Sequence, residues 1–328
     1  MALLLVYAFS FALAHWAGSR GRGNAMALIA VFAVGAIVSL SRQTLSTGDL
    51  PVYVEGFTDQ TWDVYFLREA PFWAITRLLT ALSGEARITI FCLDVFIVFL
   101  LTRLMGARMH WQLVVLLVAF PTILGFTNIY RQLLASVIMM AAIREFGRES
   151  RTGLWWALAA CAVHTAMVGL CICLLTAYLL RRGRRLWLIA LALTAFFGVL
   201  PLLQGLTLVE ISGGTDSRGN TAPLYLALGA LTGAVAWWQL RYQSAMRPLL
   251  IGLALYFSSG AISLLYAPAS TGTRVMMISI HLTSFVLLAH LASAHRRNLL
   301  TLGLAVLLVG PLLVSDSAWH LIFGYEID

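Results

Sequence analysis

The sequence predicts an all-α, polytopic integral membrane protein of about 11–13 transmembrane helices, read as a single transmembrane domain over residues 1–328. Three observations predict it. The 328 residues are 60% hydrophobic and only 11% charged, against about 25% charged in an ordinary soluble domain. Mean hydropathy is +0.87, so a water-soluble fold would lack the polar surface to cover itself. Apolar runs of spanning length alternate with short Arg-bearing segments. The same composition excludes a disordered chain.

A hydrocarbon core about 30 Å thick takes roughly 17–25 apolar residues of helix. The runs that answer to this are 1–17, 25–41, 88–103, 111–125, 128–145, 186–208, 223–240, 248–266, 275–294 and 298–314. No basic residue precedes the run 1–17, which lacks the positive start of a secretory signal and reads as the first span. Segment 70–83 is short and interrupted by Arg77, which suits an interfacial helix. Segment 154–180 is a single 27-residue apolar run. It is too long for one simple span and reads as two short passes that bend near His164.

Charge placement sets the orientation. The net charge is +8 and all 22 basic residues are Arg. With the N-terminus outside, 70–83 not crossing and 154–180 as two passes, 15 of the 22 Arg fall inside, as the positive-inside bias requires. This predicts twelve passes with both termini outside, and Arg181-Arg182-Gly183-Arg184-Arg185 anchoring the inner face. Basic residues that punctuate apolar runs point to membrane lipids as partners and not to nucleic acid. The polar stretches 42–69, 209–222 and 267–274 then share the outer face with the turn before Arg131 and the bend at His164. Function carried on these loops faces outward. The four cysteines lie inside apolar segments and read as core filler.

Candidate chemistry gathers on those outer segments. Gly48-Asp49-Leu50-Pro51-Val52-Tyr53 is followed by Glu69 just ahead of Ala70-Pro71. Pro71 suits a first helical turn, so Glu69 stands at a helix start. Either Glu69 or Asp49 is a candidate general base, or a group that orients a sugar hydroxyl; a solvated acidic loop is the plainer alternative. Thr127-Asn128-Ile129-Tyr130-Arg131-Gln132 opens the span 128–145, with Asn128 as the expected N-cap. That puts Arg131 in a first turn, where a cation opposes the helix dipole unless an anion is shared. Thr271-Gly272-Thr273-Arg274 opens the span 275–294 in the same sense. Two such Arg forks suit a lipid-linked phosphate or diphosphate. His164 interrupts an apolar run, where an ionisable group needs a partner or a cavity. His281 follows Arg274 by seven residues, on the same helix face. Asp94 is the one carboxylate deep within a span and suits a structural role. The Gly213-Gly214 loop lacks the Lys-Ser/Thr ending of a phosphate-binding loop, and no metal-ligand spacing occurs.

Gly48-Asp49 with Tyr53, the Glu69/Pro71 helix entry, Asn128-Ile129-Tyr130-Arg131-Gln132-Leu133-Leu134-Ala135, His164 and a late Arg274 together resemble the EpsG family of Wzy-type bacterial polysaccharide polymerases, over about residues 40–290. Family members often show Gly-Thr-Asp-Tyr and Glu-Pro where this chain has Gly48-Asp49-Leu50-Pro51-Val52-Tyr53 and Glu69-Ala70-Pro71. The resemblance implies a GT-C-like, inner-membrane glycosyltransferase with its site facing the periplasm. Such an enzyme polymerises undecaprenyl-diphosphate-linked oligosaccharide repeats into O-antigen, capsular or exopolysaccharide. It implies Arg131 and Arg274 as diphosphate contacts, Asp49, Glu69 or His164 as the groups that position or deprotonate the acceptor, and Tyr53, Asn128, Tyr130, Gln132 and His281 as substrate contacts. It also implies no cofactor or metal, and a chain-length regulator and a flippase as partners. An O-antigen ligase-like transfer to a lipid core and a lipid-linked glycan flippase are the rival readings.

Overall fold

The computed structural model describes residues 33, 35–37, 39–40, 50–59, 61–62, 64–67, 69–105, 110–127, 129–148, 150–182, 222–265, 269–290 and 294–314. The predicted spans 1–17 and 186–208 lie outside these residues, as do most of 25–41, all but the last residue of the loop 209–222, and both Asp49 and Asn128. Among the described residues every regular element is a helix and no strand occurs. Three helices, Ala86–Met105, Met246–Ser263 and Gly272–His290, are long and apolar enough to cross a bilayer, which makes the chain a polytopic membrane protein. The chain divides into two compact units: Met1–Ala141 with Leu158–Thr165 and His295–Asp328, and Ala142–Ala157 with Ala166–Ala294.

The first unit begins its described helices with α1 (Leu50–Thr58) and α2 (Val64–Leu67). The stretch 42–69 was expected to be a polar loop; much of it is helical instead. The reason lies in its spacing: Leu50, Tyr53 and Phe57 recur at i, i+3 and i+7 and are buried together. Next comes α3 (Ala70–Ser83), on the span predicted, with Pro71 in its first turn. It stops at Gly84, whose φ of 81° is left-handed and whose N–H reaches the Thr80 carbonyl at 2.9 Å. A Thr80–Thr89 hydroxyl bond of 2.8 Å then ties α3 to α4 (Ala86–Met105). Asp94 is fully buried within α4. Cys173 is buried as expected, whereas Cys92 on α4 is exposed, so the core-filler reading fails there.

The predicted span 111–125 is two helices, α5 (His110–Val118) and α6 (Phe120–Thr127). Pro121 has no N–H to continue the ladder. The chain restarts on the Ala119 carbonyl, which accepts from the Thr122 and Ile123 N–H groups, while the Thr122 hydroxyl satisfies the Leu116 carbonyl at 2.6 Å. α7 (Tyr130–Gly147) follows. Just ahead of it the Ile129 carbonyl accepts from Leu133 N–H at 3.0 Å; the expected N-cap, Asn128, lies outside the described residues. The long apolar run 154–180 breaks where predicted: α8 (Thr152–Val163) ends at His164, and α9 (Ala166–Arg182) starts two residues on.

In the second unit α10 (Ala222–Leu240), α11 (Met246–Ser263) and α12 (Ala269–His290) pack together, and α9 lies against α11. Small residues let α11 and α12 approach closely: a Cβ added at Gly272 would meet the Gly260 carbonyl at 2.7 Å, as small-residue pairs permit between membrane helices. α12 starts at Ala269, so the segment 267–274 is mostly helix and Arg274 stands in the second turn, not the first. Ser270, Thr271 and Thr273 are polar but compatible with helix, which is why hydropathy placed the start too late. The last described helix is α13 (Ala294–Val314).

Gly84→Ala should lower stability by about 1–2 kcal/mol through left-handed strain alone, since nothing lies within 4 Å of an added Cβ. Gly84→Asn should cost less, because Asn tolerates this conformation. Unfolding of the purified protein in detergent measures both, and an equal loss from the two substitutions would contradict the capping role.

Candidate functional site

Glu69 occupies the N-cap position of α3, and its carbonyl starts the helix by accepting from Phe72 N–H at 3.0 Å and Trp73 N–H at 3.2 Å. Its side chain does not cap that helix. The carboxylate turns instead to two other helix ends. Oε2 accepts from Nη1 of Arg131, the second residue of α7. Oε1 accepts from Nδ1 of His164 at 2.5 Å and from the Thr165 N–H at 3.1 Å, at the break that follows α8. The partners lie 62, 95 and 96 residues along the chain, and all belong to the first unit.

Burial gives this cluster its weight. The Glu69 side chain is 5% exposed, against 15% for Arg131 and 20% for His164. Desolvation of the buried carboxyl raises its pKa. The His164 hydrogen bond and charge, the Arg131 charge and the Thr165 N–H together overcome that and lower it from the ordinary 4.5 to about 2. Glu69 is therefore ionised at neutral pH and acts only as an acceptor. With the carboxylate an acceptor only, His164 Nδ1 is the donor in the bond between them.

Aromatic side chains cover Arg131. Its guanidinium carbon lies 5.1 Å from the Trp73 ring and 5.8 Å from the Tyr53 ring, within cation–π range. Tyr53 stacks on Trp73 and meets Tyr130 edge-on at 5.8 Å. Gly56 lets α1 approach: a Cβ there would lie 2.7 Å from the Trp73 ring.

The structure thus brings together five of the residues singled out by sequence: Glu69, His164, Arg131, Tyr53 and Tyr130. Gln132 is buried beside Arg131 in the chain, only 4% exposed. Asp49 and Asn128 lie outside the described residues. Arg274 and His281 belong to the second unit. Their shared helix face does not give them a shared setting, since Arg274 is exposed and His281 is 2% exposed. The anion that the position of Arg131 demands is supplied by the protein itself. Sequence reasoning missed Trp73 and the Thr165 N–H. Trp73 was findable, because it follows Glu69 by four residues and so shares its helix face; a backbone N–H carries no sequence signal.

Glu69→Gln should destabilise the folded protein by about 3–5 kcal/mol at neutral pH, the cost of leaving buried charge unpaired. The pKa of Glu69 is lowered, so its stabilisation is complete above pH 4.5 and is lost as pH falls from there toward about 2. Unfolding of wild type and Glu69→Gln across that window should therefore converge at the acid end, and parallel curves would contradict the ionised carboxylate. Comparison of the chain with protein-family models, with curated proteins and with solved structures finds no match.

Proposed function

We propose that the protein is a membrane glycosyltransferase of the Wzy type, which joins undecaprenyl-diphosphate-linked oligosaccharide repeats into O-antigen, capsular or exopolysaccharide. In this reading it has a GT-C-like architecture and works in the bacterial inner membrane at the periplasmic face, alongside a flippase and a chain-length regulator. One observation carries the proposal. Glu69, Arg131 and His164, which the family resemblance singles out separately, are joined by direct hydrogen bonds.

The geometry divides the roles. Glu69 is too weak a base at a pKa of about 2 to take a proton from a sugar hydroxyl. It orients His164 through Nδ1, and Nε2 accepts the proton of the acceptor hydroxyl. The acceptor oxygen bonds to the anomeric carbon of the donor sugar. The bond from that carbon to the lipid diphosphate oxygen breaks, and the diphosphate leaves with the electron pair. In the base-competent state of the proposed reaction His164 is a neutral imidazole, and Glu69 and Arg131 cancel in charge. As His164 gains the proton the cluster becomes positive, in phase with the negative charge growing on the diphosphate. Arg131, held by Glu69 and the two rings, supplies the fixed cation for that charge.

Purified protein given a lipid-diphosphate-linked repeat should produce a ladder in steps of one repeat unit. His164→Ala should slow it by about 10²–10⁴-fold, and Arg131→Ala should abolish it while the protein stays inserted. Full-length polymer from a well-expressed Arg131→Ala variant would overturn the assignment. Transfer to a lipid core alone would select the ligase reading, and transbilayer movement without chain growth would select the flippase.

A further inference from the structure

Arg77 touches none of Glu69, Arg131 or His164 through any hydrogen bond, yet it shares their helix. Glu69, Trp73 and Arg77 follow one another at four-residue intervals and form one stripe along the first half of α3. The Arg77 Nε donates to the Gly56 carbonyl at 3.0 Å and its Nη1 to the Thr61 carbonyl at 2.7 Å. Gly56 lies in the last turn of α1, where carbonyls have no partner within the helix. The guanidinium carbon also sits 4.3 Å from the Phe66 ring and 4.7 Å from the Trp62 ring. Nη2 is buried with no hydrogen-bond partner among the described residues. Two carbonyls and two rings hold this cation.

These contacts have one mechanical result. Arg77 ties the end of α1, the 61–62 segment and α2 to α3. Phe66 on α2 then meets Trp73 at 4.9 Å, while α1 presses Tyr53 and the Gly56 backbone onto the same ring. Trp73 has no exposed surface; Phe57 and Phe72 also pack on its ring, and the guanidinium of Arg131 lies 5.1 Å from it.

We propose that Arg77 is a positioning residue for Arg131. It clamps the aromatic cover formed by Tyr53, Phe66 and Trp73, and that cover fixes the direction of the Arg131 fork. The catalytic consequence rests on the polymerase reading above; the positioning itself does not. Lys cannot replace Arg77 fully, because an ammonium lacks the planar fork that meets two carbonyls while stacking between rings.

The test reads Arg131 directly. Purified wild type, Arg77→Ala and Arg77→Lys are labelled with phenylglyoxal, and modification is followed by peptide mass spectrometry at Arg131 and at the exposed Arg274. Polymer synthesis is measured on the same samples. Arg77→Ala should label several-fold faster at Arg131 with Arg274 unchanged. Its kcat should fall about 10- to 100-fold, as small misplacements of a catalytic group do, with a smaller change in KM. Arg77→Lys should fall between wild type and Arg77→Ala on both measures. Unchanged labelling at Arg131 in Arg77→Ala would overturn the proposal. So would equal acceleration at Arg131 and Arg274, which reports general loosening. Should Arg77→Ala fail to fold, Arg77→Lys decides by the same two criteria. If wild type makes no ladder, the polymerase reading falls and the labelling alone decides the clamp.

Discussion

The first unit is organised around the buried negative charge of Glu69. An ionised carboxylate costs several kcal/mol to take out of water, and Glu69 is almost entirely buried. It remains charged because a guanidinium, an imidazole N–H and a backbone N–H converge on its two oxygens. The donors come from two distant parts of the chain, so the carboxylate fixes the start of α3, the start of α7 and the α8 end in one arrangement. The bargain is symmetrical. Arg131 stands at a helix N-terminus where a cation is disfavoured, and His164 stands in an otherwise apolar run; Glu69 is what makes both positions tolerable.

The aromatic cover follows from the same constraint. A cation–anion pair gains strength as water is excluded from it, and Trp73, Tyr53 and Tyr130 exclude it on the Arg131 side. Those rings occupy their places because α1 lies close on α3, which Gly56 permits and Arg77 secures. One face of α3 therefore carries the anion, the ring above the cation and the clamp that holds the ring. The apolar membrane helices need no such detail: in the second unit α12 is buried along 89% of its spanning segment mainly through side-chain fit.

How much of this was legible in the sequence depended on the kind of signal. Hydropathy located α3, α4, α10 and α11 to within a few residues, because apolar composition is a property of each segment alone. It failed where composition and conformation part. Residues 50–58 are an apolar island in a stretch, 42–69, that looks polar as a whole, and their apolar residues have helical spacing. Pro121 splits a run that is uniformly apolar. Ser270, Thr271 and Thr273 extend α12 past its apolar edge, and that moved Arg274 out of the first turn. The site residues were legible one at a time, each as a polar group in an unfavourable place. Their pairing was not, since partners 62 and 95 residues apart share no local pattern.

That pairing divides the roles in the proposed chemistry. Taken singly, Glu69 and His164 are equal candidates for a base. Once His164 Nδ1 donates to Glu69, the carboxylate is held well below the range in which it could accept a proton at neutral pH. The ring, by contrast, is oriented with Nε2 as its remaining basic atom. Arg131 changes meaning in the same way. A lone arginine at a helix N-terminus is a site waiting for an external anion, whereas an arginine already neutralised by Glu69 attracts a further anion only when the cluster gains charge. In the proposed reaction proton uptake by His164 would supply that gain, so attraction for a diphosphate would rise during the transfer step and not before it. Binding that strengthens along the reaction lowers the barrier, whereas binding that is already complete in the ground state does not. The proposed site is therefore better suited to a departing diphosphate than to storing one.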